Sequence, residues 1–161
     1  MAEVEDIEAA RERIVTLAFN GDASRFERFV NAIRRAAAPG AQVILRGSAV
    51  TGMRWADGQP FDADGPGTSD LDVTFLSAEM VPLWEDSYIP MLHTAPLSDE
   101  HPDACPPLNN LRHRLSKLAG RPVNLQASSN LVQFARDVLF DQPYFTLIEP
   151  ADENARETST S

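Results

Sequence analysis

The sequence predicts a single α/β domain with a mixed β-sheet and helices packed against it. Segments whose apolar residues recur at helical spacing alternate with short apolar runs that are typical of buried strands. The chain has 161 residues, of which 43% are hydrophobic, which suffices for one domain with its own core. We place this domain at residues 1–150 and predict a disordered polar tail at residues 151–161.

Two helices are predicted at the start of the chain. The first covers Ala2–Phe19 and ends at Asn20-Gly21-Asp22. Ser24 and Glu27 then have the spacing of a capping box, so we expect Ser24 to begin the second helix. Pro39-Gly40 ends it. We interpret both helices as scaffold.

The first predicted strand leads into a glycine–serine turn. Three large apolar residues in a row, Val43–Leu45, are typical of a strand that is covered on both faces. Gly47 permits a tight turn and a close approach of a ligand, and Ser48 offers a hydroxyl group. A short helix is predicted over Ala49–Met53, with N–H groups at its start that could face a phosphate.

The second predicted strand carries two carboxylates. Asp70 and Asp72 alternate with Leu71 and Val73, so both acids share one face while the apolar residues point into a core. Neighbouring carboxylates repel each other unless a positive group lies between them. Magnesium, which prefers hard oxygen ligands, would meet this need. The alternative is a solvated edge strand that carries two acids.

The loop between these strands, residues 54–69, is rich in turn-forming residues. We interpret Asp62 and Asp64 as solvated turn acids, with metal binding as the alternative. Trp55 and Phe61 could stack on a base or pin the loop to the body of the protein.

The next segment is less regular. We predict a helix over Ala78–Leu92 that is broken at Pro90, followed by a loop over His93–Pro107. A zinc site could be built from nearby histidines and a cysteine, but their spacing matches no common structural pattern, so scattered loop residues are the alternative. These residues are His93, His101, Cys105 and His113.

The last third of the chain predicts helix, strand, helix and strand. The segments are Leu108–Ala119, Pro122–Gln126, a helix capped by Ser128 or Ser129 that ends at Phe140, and Tyr144–Glu149. A basic cluster lies on and just after the first of these helices. It could bind triphosphate oxygens or an acidic acceptor, or it could be a solvated helix face. Its members are Arg112, Arg114, Lys117 and Arg121.

Charge and composition limit the class of function. The formal net charge is −10, which argues against extensive nucleic-acid binding. No apolar stretch is long enough to span a bilayer, and the acidic segment Glu3–Glu8 is unlike a secretory leader. A single cysteine, Cys105, excludes an internal disulfide and suits a reducing compartment. We therefore expect a cytoplasmic protein with no membrane partner.

Two motifs carry a resemblance to a known family. The turn Gly47-Ser48 after an apolar strand, followed by Ser69-Asp70-Leu71-Asp72-Val73, resembles the signature of the DNA polymerase beta-like nucleotidyltransferases over about residues 43–149. The resemblance implies transfer of a nucleoside monophosphate from a nucleoside triphosphate such as ATP onto a hydroxyl of a protein, RNA or small molecule. It further implies nucleotide binding by Arg46, Gly47, Ser48 and Ser69, and two magnesium ions on Asp70 and Asp72 as the catalytic pair.

The sequence departs from the family pattern at a third position. Family members often carry another carboxylate on a later strand, and the matching residue here is Asn124, which cannot take up a proton near neutral pH. Either the acceptor is activated otherwise, by metal or by an acid such as Asp62, Asp64 or Glu149, or the chain does little chemistry. In the latter case we expect a nucleotide-binding regulatory module or an antitoxin-like partner of a toxin protein.

Overall fold

The computed structural model describes residue 4 and residues 6–85, 87–89, 93–140 and 142–150, with the backbone alone for 87–89. Both α-helices and β-strands occur along the described part of the chain. They are α1 (Ile7–Ala18), α2 (Ala23–Ala36), β1 (Gln42–Arg46), α3 (Ser48–Thr51), β2 (Leu71–Leu76), β3 (Ser87–Ile89), β4 (His93–Thr94), α4 (Asn109–Ala119), β5 (Val123–Ser128), α5 (Leu131–Phe134) and β6 (Tyr144–Ile148).

The strands form one mixed sheet in the order β3-β4-β5-β2-β1-β6. β2 lies between β1, to which it is antiparallel, and β5, to which it is parallel. β6 pairs antiparallel with β1 and closes that side of the sheet. The prediction of an α/β domain with a mixed sheet and flanking helices is therefore confirmed.

Both faces of the central strands are covered. Val43 and Leu45 of β1 point into the main core with residues of α1, α2 and α4, while Ile44 points to the opposite face, where it packs with Phe134 and Leu139. All three β1 residues are buried. A run of consecutive apolar residues is what a strand covered on both sides requires, so this prediction is confirmed.

The first two helices begin at different residues from those predicted. α1 begins at Ile7 because the carboxylate of Asp6 accepts a hydrogen bond from the backbone N–H of Ala9 at 3.0 Å. Asp22, not Ser24, caps α2, and it accepts hydrogen bonds from the Arg25 N–H and the Ser24 hydroxyl at 3.0 and 2.8 Å. The predicted capping box was wrong because an aspartate two residues earlier provides the stronger, charged cap.

The predicted helix over residues 78–92 is also wrong. A single 3-10 turn occupies Val81–Leu83, and strand β3 follows at Ser87–Ile89; Pro90 lies outside the described residues. Met80, Val81 and Trp84 are buried. Their apolar side chains enter the core from a turn, and a turn does not require apolar residues at helical spacing.

The helix after β5 starts later than predicted. Asn130 caps α5 by accepting the Gln133 N–H at 3.0 Å, and a π-helical turn over Ala135–Leu139 continues it. Ser128 instead ends β5 and is buried. None of the helices in the described part of the chain is both long enough and apolar enough to cross a bilayer. The tail predicted at residues 151–161 lies outside the described residues.

Candidate functional site

The two predicted catalytic carboxylates lie at the start of the central strand β2. Asp72 is in register with Arg46 of β1 on one side and with Asn124 of β5 on the other. Asp70 precedes the first residue of β2. Because β2 has a neighbour on both sides, the acids do not lie on a solvated edge strand, and that alternative is wrong.

The side chain of Asn124 lies between the two carboxylates. Its Nδ2 donates hydrogen bonds to Asp70 Oδ2 at 2.7 Å and to Asp72 Oδ1 at 2.9 Å. The amide therefore offers positive dipole ends to both acids, and it can present its carbonyl oxygen to a cation only by turning, which breaks both bonds. The parallel pairing of β2 with β5 places Asn124 directly beside Asp72.

The surroundings of Asp70 change the pKa of its carboxylate. Partial burial of its carboxylate, and then the charge of Asp72, raise the pKa of Asp70, although hydrogen bonding by Asn124 and the charge of Arg46 act in the opposite direction. The Asp70 residue itself keeps an exposed side. A cation bound beside Asp70 would therefore favour the ionised form of its carboxylate.

The Gly47-Ser48 turn brings backbone close to Asp72. Gly47 has φ +101°, a conformation that favours glycine, and a Cβ atom there would lie 3.5 Å from Asp72 Oδ2. The following helix, α3, has only four residues and is held by Arg13, which donates to the Val50 carbonyl at 2.6 Å. The predicted short helix exists, but one turn adds little helix dipole at a phosphate.

All six residues predicted for the nucleotide and metal line one open cleft of about 290 Å³. They are Arg46, Gly47, Ser48, Ser69, Asp70 and Asp72. The guanidinium of Arg46 lies over the ring of Phe134 at 6.0 Å, and its Nε is buried with no hydrogen-bond partner among the described residues. The positive charge of Arg46 at the lining of the cleft favours an anionic ligand there.

A second cavity of about 440 Å³ lies on the other side of Asp70. Asp70 and Thr68 line both spaces, whereas Asn124 lines only this one, together with Asp99, Glu100 and His101. Asp70 thus borders both a cleft that contains arginines and a cavity whose charged lining is mainly acidic.

Asp62 is not the solvated turn acid that the sequence indicated. Its carboxylate accepts hydrogen bonds from Arg121 at 2.7 and 3.1 Å, and from the backbone N–H groups of Ser69 and Gly67 at 2.9 and 3.2 Å. Although burial acts in the opposite direction, these hydrogen bonds, led by that from Arg121, lower the pKa of Asp62. Arg121 also donates to the Ser69 carbonyl at 2.9 Å. The residue before Asp70 is therefore fixed through both its N–H and its C=O.

The side chain of Ser69 takes part in the same network. Its hydroxyl accepts a hydrogen bond from the Asp62 N–H at 2.8 Å. Asp64, by contrast, is exposed and pairs with Arg54 at 2.8 Å. Asp62 and Asp64 therefore each have a cationic partner. This weakens both as the acid that could activate an acceptor where the sequence has Asn124. Glu149 follows the last residue of β6.

The basic cluster on α4 does not act as one surface. Arg112 is buried and forms an ion pair with Asp99 across a distance of 2.6 Å, and Arg121 is buried against Asp62. Arg114 and Lys117 are exposed. The sequence predicts that the basic residues of this cluster lie off the core. Arg112 and Arg121 are buried nevertheless, because each forms an ion pair with a distant loop residue.

The histidines and the cysteine have separate surroundings. His93 is buried and its ring nitrogens bond to Ser128 Oγ at 2.8 Å and to Asp137 Oδ2 at 3.0 Å. This chain of serine, histidine and aspartate has no accessible nucleophile, since Ser128 is fully buried. Burial raises the pKa of the Cys105 thiol to about 11. Among the described residues, no group of three histidine, cysteine or acidic side chains is placed to hold a metal ion.

Arg54 and Gln142 are among the cleft residues that the sequence did not identify. Arg54 was treated as the first residue of a polar loop, and the only available signal was a cation next to Trp55. Gln142 comes from the turn before β6, which meets the cleft only because β6 pairs with β1.

Comparisons of this chain with protein-family models, with curated proteins and with solved structures gave no match.

Proposed function

We propose that this chain is a magnesium-dependent nucleotidyltransferase, which moves a nucleoside monophosphate from a nucleoside triphosphate onto an acceptor hydroxyl and releases pyrophosphate. The observation that carries the proposal is that one cleft is lined by the Gly47-Ser48 turn, the Asp70–Asp72 pair and Arg46. Each supplies a feature that such a reaction needs: room for phosphate near backbone, ligands for a cation, and a fixed positive charge.

The donor set fits a magnesium ion at Asp70 and Asp72. Two carboxylates on one strand face are hard oxygen ligands, and a cation between them would offset the repulsion that, together with burial, raises the pKa of Asp70. Magnesium held there would offset negative charge on the phosphates and the leaving pyrophosphate. The second ion implied by the family resemblance has a poorer donor set, because Asn124 can add only a neutral oxygen.

The chain's own residues would position the two substrates. Arg46, which lines the cleft, would offer its guanidinium charge to phosphate oxygens. Gly47 would let phosphate approach the backbone, since any larger residue at φ +101° is strained. The acceptor hydroxyl would enter through the second cavity, which meets the cleft at Asp70.

A labelling experiment tests this proposal. The chain is incubated with magnesium, a lysate of the source cell and each of the four nucleoside triphosphates labelled at the α-phosphate. We expect label on a protein, an RNA or a small molecule, and loss of that label in Asp72→Asn. Asp103→Asn, which removes an exposed acid outside the cleft, is the matched control and should label like the native chain. Full activity of Asp72→Asn would overturn the assignment.

The contacts of Asn124 favour a second candidate function. A chain whose carboxylates are already bridged by an amide could bind a nucleotide and do little chemistry, as a regulatory module or as an antitoxin-like partner of a toxin protein. This candidate predicts magnesium-dependent nucleotide binding by calorimetry with no transfer of label. Transfer of label that depends on Asp72 would exclude it.

A further inference from the structure

Trp55 is an exposed aromatic side chain on the wall of the candidate cleft. It lines the same space as Arg46, Ser48 and Asp70, and 60% of its surface is exposed. The other tryptophan, Trp84, is 5% exposed and belongs to the core. An indole left open at the edge of a polar cleft exposes apolar surface that a flat ligand could cover.

The loop that carries Trp55 is held on both sides. The backbone N–H of Arg54 donates to the Gln59 carbonyl at 2.7 Å, and the Gly58 N–H donates back to the Arg54 carbonyl at 2.9 Å. The Arg54 side chain bonds to Asp64 at 2.8 Å. The exposure of Trp55 is therefore a property of a defined turn.

Buried contacts anchor the same loop to the body of the protein. Phe61 is buried, and the Arg121 guanidinium lies over its ring at 4.5 Å. The Phe61 N–H donates to the Gly52 carbonyl at 3.0 Å. Phe61 thus pins the loop to the body of the protein, which is one of the two roles predicted for these aromatic residues. The other role, stacking on a base, is left to Trp55.

The lining of the cleft shows a division between charged side chains and one exposed aromatic ring. Arg46 and the carboxylate pair supply charge, and Trp55 supplies apolar surface. The neighbouring Asp64 is paired with Arg54, so its charge is partly compensated. A ligand that joins an anionic group to a flat ring matches this division.

We propose that Trp55 forms the nucleobase subsite of this cleft, where the indole stacks on the base of the nucleoside triphosphate. The inference rests on the proposed function, because it needs the phosphates to lie near Arg46 and the carboxylate pair. Stacking of a base on an aromatic ring tolerates any base, since every base has a π-face.

Titration calorimetry in the presence of magnesium tests the subsite with two probes. One probe is whichever of the four nucleoside triphosphates binds the native chain best, and the other is inorganic tripolyphosphate, which has no base. In Trp55→Ala we expect the nucleotide to bind about five- to a hundredfold more weakly, with unchanged binding of tripolyphosphate. Trp55→Phe, which keeps a ring, should recover part of the loss.

Phe140→Ala is the matched control, because Phe140 is 66% exposed and does not line the cleft. It should bind both probes like the native chain. Fluorescence of Trp84→Phe, in which Trp55 is the remaining tryptophan, gives a second readout. We expect its emission to change with the nucleotide and not with tripolyphosphate.

The outcomes separate failure of the subsite from failure of the proposed function. Equal nucleotide binding by the native chain and Trp55→Ala would overturn the subsite alone. Weaker binding of both probes by Trp55→Ala would also overturn it, since Trp55 would then support the loop and not the base. Binding of neither probe by the native chain would overturn the proposed function and the subsite together.

Discussion

The amide of Asn124 holds together two carboxylates that would otherwise repel each other. It donates to Asp70 and Asp72 at 2.7 and 2.9 Å. An amide does not take up a proton near neutral pH, so in the proposed reaction Asn124 could not act as a base for the acceptor hydroxyl. Asn124 therefore stabilises the carboxylate pair but could not supply general-base catalysis.

Asn124→Asp tests which of these effects governs the protein. Without magnesium, a third negative charge beside Asp70 and Asp72 should lower the free energy of unfolding by about 1–3 kcal/mol. With magnesium, the variant should be stabilised more than the native chain, because its site has one more hard ligand. Urea unfolding with and without magnesium measures both effects.

Asn124→Ala is the control for that substitution, since it removes the two hydrogen bonds and adds no charge. It should lose stability without magnesium and show no extra gain with it. If magnesium stabilises Asn124→Asp no more than the native chain, Asn124 does not adjoin a cation site.

The raised pKa of Asp70 predicts how magnesium binding depends on pH. Since the folded pKa lies above the ordinary value of 3.8, Asp70 favours folding most below pH 3.8, and that contribution is lost as the pH rises through the folded pKa. Magnesium needs the ionised form, so its affinity should fall by up to about tenfold per pH unit below the folded pKa. Calorimetric titrations between neutral pH and the onset of acid unfolding measure this, and a constant affinity would contradict it.

At the scale of elements, one ion pair connects the loop before β2 to the end of α4. Arg121 binds Asp62 and the Ser69 carbonyl, and it also donates to the Leu17 carbonyl of α1 at 3.3 Å. Its side chain is 5% exposed. Three segments far apart in the sequence therefore meet at one guanidinium, directly behind Asp70.

Arg121→Ala should destabilise the protein by about 3–5 kcal/mol, because it leaves the carboxylate of Asp62 partly buried without its cation. Arg114→Ala, which truncates an exposed arginine of α4, is the matched control and should change the free energy of unfolding by less than about 0.5 kcal/mol. Urea denaturation of both variants gives the comparison. A loss below about 1 kcal/mol in Arg121→Ala would show that the pair is not a principal anchor of the loop.

Elements with a clear hydrophobic period were predictable, and those fixed by distant partners were not. Phe26, Phe29, Val30 and Ile33 recur at helical spacing and are buried on α2, and the alternation around Asp72 placed the carboxylates on one face. The cap of α2 was misassigned because Asp22 and Ser24 are both good caps. The partner of Asp62 lies 59 residues away, and no local pattern indicates such a pair.

At the scale of the whole molecule, acidic residues outnumber basic ones, and the formal net charge is −10. Arg112 and Arg121, two of the fourteen lysines and arginines, are buried in ion pairs. Phosphate backbones are bound mainly through accessible cations. The molecule as a whole should therefore repel nucleic acid, even though its cleft contains Arg46 and Arg54.

This charge distribution predicts no measurable binding of duplex DNA or RNA at micromolar protein and physiological salt. Fluorescence anisotropy of labelled duplexes, with EDTA and again with magnesium, checks it. Salt-sensitive binding in EDTA would contradict the prediction, since it would reveal a basic surface on the folded chain.

The parallel pairing of β2 with β5 also has a consequence for how the protein is made. Asp72 and Asn124 are 52 residues apart, so closing this strand pair is a non-local step, which slows folding. On a ribosome, both aspartates emerge well before the strand that bridges them. The newly made chain therefore carries its acids unpaired during synthesis and acquires a complete site only when nearly all of the domain has been released.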